Sequence, residues 1–206
     1  GFDTVIRIIN FCGNFLFIEF IVSCIYLYAD PILGFKTTIV TYIGIFTIIL
    51  MKLMYKIPWP FWIDSQIDGK SCDLDFSGPS DHAFMITFFY SYNIIIFYHW
   101  YSEEPKTRLV AFLIGINVFV WIFVSFGLTY MGSTYLLESI LGGIFGFAYT
   151  MILIYFDSAI HELCENTGFI VRESRRYKFY VFFACLGLLS FAVIYYNADL
   201  TNWRVE

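Results

Sequence analysis

The chain has 206 residues, of which 59% are hydrophobic and only 14% charged, with a mean hydropathy of +0.71. A soluble domain holds about 45–50% apolar and about 25% charged residues, so a soluble enzyme, a disordered chain and a secreted disulfide scaffold are all disfavoured. The net charge of −5 argues against a nucleic-acid partner, because phosphate binding needs a basic face. The composition is that of an integral membrane protein.

A membrane-crossing helix needs about 20 mostly apolar residues, and six segments qualify. They run over 5–28, 37–55, 83–100, 109–130, 134–156 and 179–196. Unbroken apolar runs of this length read as helices, because lipid offers the backbone no partners; barrel strands would alternate instead. The expected fold is all-α, a multi-pass bundle of about six transmembrane helices forming one domain over 1–206. The first apolar run has no small-residue cleavage pattern behind it, so it reads as a span rather than a signal peptide.

Six spans divide the connections between two sides. Arg7, Lys52, Lys56, Lys70 and Arg204 fall on one side; Lys36, Lys106, Arg108, Arg172, Arg175, Arg176 and Lys178 fall on the other. The richer side faces the cytosol or matrix under the positive-inside rule. The 56–82 loop, with Asp64, Asp68, Asp73, Asp75 and Asp81, then faces the lumen or exterior. The Arg172–Arg176 cluster can touch anionic headgroups or simply face water.

Cys12, Cys24 and Cys185 lie in apolar stretches as small hydrophobes, while Cys72 and Cys164 lie on opposite sides and cannot easily pair. No Cys/His spacing marks a metal site, and His161 beside Glu162 and Glu165 lacks ligand spacing. No cofactor is expected. Glu19 falls inside the first span, where a carboxyl must be protonated or paired. It reads as a neutral hydrogen-bonding group, a proton relay or a contact to another subunit; a transporter or channel would rest on it alone. Asn14, Asn93 and Asn117 read as groups hydrogen-bonding between helices.

Three clusters stand at helix ends on one side. Lys52 closes the second span and is followed by Ile57-Pro58-Trp59-Pro60-Phe61-Trp62. Gly78-Pro79-Ser80-Asp81-His82 opens the third, with Ser80 placed as an N-cap. Tyr130-Met131-Gly132-Ser133-Thr134, then Glu138, joins the fourth and fifth. Singly, each reads as an ordinary helix end: a cap, interfacial Trp anchors, a snorkelling Lys.

In order and spacing they resemble the type-2 phosphatidic acid phosphatase superfamily. These are membrane phosphatases that include glucose-6-phosphatase and the sphingosine-phosphate phosphatases. The family's first motif is a Lys, six residues, then Arg-Pro; here Lys52 precedes Trp59-Pro60. Its second, Pro-Ser-Gly-His, is matched by Pro79-Ser80-Asp81-His82. Its third has a Ser-Arg, a Tyr-x-Gly, then a His and an Asp four later. Gly127-Leu128, Tyr130-Met131-Gly132, Thr134 and Glu138 stand there. The resemblance covers residues 30–155 and implies the family's helical fold.

It also implies roles. In the family the third-motif His is the nucleophile, oriented by the Asp, and the second-motif His protonates the leaving group. The Lys and two Arg hold the phosphate. Lys52, Ser80 and His82 are kept and Glu138 replaces the Asp. Both Arg positions, Trp59 and Leu128, are lost, as are the nucleophile at Thr134 and the small residue at Asp81. The expectation is a phosphatase-like protein without phosphatase activity, serving as a structural or lipid-binding subunit. Its partners would be membrane lipids and other membrane-protein subunits. The alternative is a divergent, active lipid phosphate or diphosphate phosphatase. A polar cavity around Lys52, Ser80 and His82 would favour activity; filling by Trp59, Leu128 and Tyr135 would favour its loss.

Overall fold

The computed structural model describes residues 2–64, 67, 76–101 and 107–170. The expected sixth span, the Arg172–Arg176 cluster, Cys72, Cys185, Lys70, Asp68, Asp73 and Asp75 lie outside the described residues. Within them the chain is helical, and the sole β pairing is an isolated bridge between Ile57 and Gly78.

Two short helices come first, α1 (Phe2–Phe11) and α2 (Phe15–Cys24), the latter continuing as a π turn over Ile25–Ala29. The 5–28 run is therefore not one continuous helix but two helices broken at 12–14. Asn14 supplies the break: its side chain accepts the Leu16 N–H at 2.9 Å as an N-cap instead of bonding a neighbouring helix. Gly13 lets the break pack tightly, since a Cβ there would lie 3.0 Å from the backbone oxygen of His82.

Helix α3 (Pro31–Tyr55) starts six residues before the expected span. Asp30 caps it by accepting the Ile32 N–H, and Pro31 occupies the first helical turn, where its missing N–H costs nothing. A four-residue turn, α4 (Pro60–Ile63), follows. The third expected span is one helical rod: α5 (Asp81–Met85), a π turn over Ile86–Tyr90, and α6 (Ser91–Tyr101). Helices α7 (Thr107–Tyr130), α8 (Leu136–Tyr155) and α9 (Asp157–Ile170) complete the described fold. Ile32–Tyr55, Thr107–Tyr130 and Leu136–Tyr155 are each long and apolar enough to cross a membrane.

The α5–α6 rod is the centre of the bundle. Ala83 through Phe89 are all buried, and Phe84, Met85, Phe88, Phe89, Tyr92 and Ile96 share a core with Ile18, Val22, Val40, Ile48 and Leu153. Helix α7 carries Phe112, Ile116, Phe119, Phe123 and Phe126 on its outer surface. Their three- and four-residue spacing makes one apolar stripe, suited to lipid.

Small residues on α8 allow the rod to approach. Gly142, Gly146 and Thr150 recur every four residues. A Cβ on Gly142 would collide with the Ser80 carbonyl, and the Thr150 hydroxyl donates to the Phe88 carbonyl at 3.3 Å. A Cβ on Gly146 would meet the Thr87 hydroxyl and lie 2.6 Å from the Phe84 carbonyl. Gly146→Ala is therefore expected to lower stability by about 1–3 kcal/mol, read as a fall in the thermal midpoint in detergent. Gly115→Ala, whose Cβ meets nothing within 4 Å, is the control and causes no fall.

Candidate functional site

The site forms where α3 ends, the rod begins and α7 turns into α8. Lys56 ends α3 in the left-handed region, with φ 47°, and returns its N–H to the Lys52 carbonyl at 2.9 Å. The Ser77 N–H then donates to the Ile57 carbonyl at 2.9 Å. These links fix the chain entering α5 against the last turn of α3, which carries Lys52.

Ser80 caps α5, its hydroxyl accepting the Ala83 N–H at 3.4 Å. That start sets Asp81 and His82 in the first turn. Lys52 Nζ lies 3.1 Å from Asp81 Oδ1, and His82 Nδ1 lies 3.3 Å from the same oxygen. Lys52 does not snorkel to water; it is 5% exposed and ends on a carboxylate. Burial works against ionisation of Asp81, but the Lys52 ammonium and then His82 outweigh it and hold the carboxyl well below its ordinary range.

Glu138, in the first turn of α8, is buried and occupied. The Ser77 hydroxyl donates to its Oε2 at 2.5 Å and the Tyr135 N–H donates to the same oxygen at 3.3 Å. The Ser80 N–H reaches the Glu138 carbonyl at 3.3 Å, tying α5 to α8. Gly78 is needed beside this carboxyl, because a Cβ there would stand 2.8 Å from its Cδ.

Thr134 is 4% exposed, and its hydroxyl has no hydrogen-bond partner. An alcohol becomes a nucleophile only beside a base, and the nearest carboxylate in sequence, Glu138, is committed to Ser77 and Tyr135. Trp59 and Leu128 are buried, each 4% exposed, whereas Tyr135 is exposed at 39% and does not help to fill the interior. Among the described residues, no three His, Cys, Asp or Glu side chains gather as metal ligands.

Some of these roles left no mark in the sequence pattern. Ser77, which satisfies Glu138, precedes the Gly-Pro turn with no motif of its own. Gly13 acts only through packing on His82. A second buried pair, Lys36 with Asp157, stands at the opposite end of the bundle, where Asp157 also accepts the Tyr92 hydroxyl at 3.1 Å. The signal for it was a Lys just after a helix start and an Asp closing an apolar run. No family model, curated protein or solved structure matches this chain.

Asp81→Asn would take the carboxylate away from the Lys52 ammonium, a loss of about 3 kcal/mol at neutral pH, the lower end for a broken buried pair. Chemical unfolding in detergent measures it. A carboxyl lowered in the folded state stabilises fully above its unfolded value near 4. The difference between Asp81→Asn and the unaltered protein is therefore present at neutral pH. It shrinks only as the pH drops below about 4, towards the lowered folded value.

Proposed function

We propose that this chain is a phosphatidic-acid-phosphatase-like integral membrane protein without phosphatase activity, serving as a structural or lipid-binding subunit of a membrane assembly. The observation that carries the reading is the contact between Lys52 and Asp81 at 3.1 Å. The family's lysine meets a phosphate dianion with two arginines. Here the lysine already holds a carboxylate, and Trp59 and Leu128 stand at the arginine positions.

The energetics follow. Two lost charge-assisted contacts weaken phosphate binding by roughly 3–6 kcal/mol, before repulsion from Asp81 is added. Loss of the nucleophile in a coupled site costs on the order of 10⁶ in rate, as in the protease precedent. The unpartnered Thr134 hydroxyl supports this, since it has no base to take its proton. The six-span arrangement belongs to the same proposal, with the 56–82 loop on the luminal or external side. Its topology rests on the seven-to-five division of basic residues between the two sides.

Purified full-length protein is expected to release no phosphate above background from phosphatidate, a polyprenyl diphosphate or a sugar phosphate. Release that disappears in both Thr134→Ala and His82→Ala would overturn the reading in favour of a divergent active phosphatase.

A further inference from the structure

Helix α2 with its π turn and helix α3 form a hairpin that reverses at Asp30. Between its arms lies a groove of about 370 Å³, lined by Glu19, Val22, Ser23, Tyr26, Leu27, Thr38, Thr41 and Tyr42. The Tyr42 hydroxyl donates to Glu19 Oε1 at 3.2 Å. Among the described residues no Lys, Arg or His pairs with Glu19, although Asp81 and Asp157 each hold a lysine. Thr41 lines the groove, is 2% exposed, and its hydroxyl has no partner. The Ser23 and Thr38 hydroxyls donate to their own helices, at 2.8 and 2.7 Å, and so offer lone pairs. The groove is walled by apolar side chains and rich in acceptors.

Its depth narrows the occupant. Glu19 lies eleven residues before Asp30 and Tyr42 twelve after it, about 17 Å from the turn at 1.5 Å per residue. That is near the middle of α3, itself about 37 Å long. Lipid headgroups lie about 15 Å away from a bilayer's midplane, so a headgroup amine does not meet a carboxyl at this level. A groove of this volume exceeds what a bare ion needs.

We propose that this groove is a docking site for a transmembrane helix of another protein that carries a Lys or Arg at mid-bilayer depth. Glu19 supplies the counter-charge, Thr41 accepts a second hydrogen bond, and Tyr26 and Leu27 cover the apolar stem. The site shares no residue with the phosphatase-like cluster, so its failure leaves the inactive-phosphatase reading untouched.

The test places the full chain in phosphatidylcholine vesicles with a labelled polyleucine transmembrane peptide bearing one central Lys, and measures energy transfer. The Lys peptide is expected to bind about tenfold or more tightly than its all-Leu counterpart, the scale of one charge-assisted bond. Glu19→Gln abolishes that preference. Thr41→Val weakens it severalfold with an unchanged thermal midpoint, because the Thr41 hydroxyl makes no bond within the protein. Equal binding of the two peptides overturns the proposal, including where the chain's own 179–196 segment fills the groove. So does a Lys preference that survives Glu19→Gln, or tighter retention of a long-chain amine than of the Lys peptide.

Discussion

A lysine ammonium enters an apolar helical bundle only with its counter-charge, because desolvation of a lone ion costs several kcal/mol that packing cannot recover. The chain meets that requirement twice along α3. Near one end Lys52 holds Asp81, and near the other Lys36 holds Asp157, itself steadied by the Tyr92 hydroxyl. Sixteen residues separate the two lysines, about 24 Å of helix. Each pair anchors a different element: the first fixes the start of the central rod, the second docks α9. The apolar core between them is therefore held at both ends by charge.

The same requirement shapes the cluster at the Lys52 end. An anion-binding site keeps its cations short of partners until a ligand arrives. Here every strong charge is answered from within: Lys52 by Asp81, Asp81 by His82 as well, Glu138 by Ser77 and the Tyr135 N–H. A phosphate entering would have to displace a carboxylate already bonded to the cation it needs. Burial of Trp59 and Leu128 beside this cluster makes the interior more apolar still. Charge neutrality and packing thus reinforce each other at this end of the bundle.

Much of this was legible in the sequence because it is local. The spans at 109–130 and 134–156 agree with α7 and α8 to within two residues, since long apolar runs leave the backbone no alternative. Ser80 reads as a cap from its place before the helix. Lys52 and Asp81 were already placed in helix-end clusters on one side. What was hidden depends on neighbours distant in sequence. The break at 12–14 carries a local signal in Gly13-Asn14, but only the approach of His82 explains why the glycine is needed. The earlier start of α3 was written in Asp30-Pro31, a cap followed by a first-turn proline, but the apolar count overrode it. Asp157, one residue beyond the expected 134–156 span, carries no local sign of its lysine, which lies over a hundred residues away.

The π turn at Ile86–Tyr90 ties these observations together. A π turn is in effect one residue inserted into an α-helix, and each residue added rotates everything beyond it by about 100°. Before the turn, Asp81 faces Lys52; after it, Tyr92 faces Asp157. A regular α-helix over the same stretch would aim only one of those side chains correctly. The extra residue works as a phase correction, aiming the Asp81 carboxylate at Lys52 and the Tyr92 hydroxyl at Asp157 from a single rod. Deleting one residue between 86 and 90 would leave composition and apolarity nearly unchanged, yet would turn either Asp81 from Lys52 or Tyr92 from Asp157.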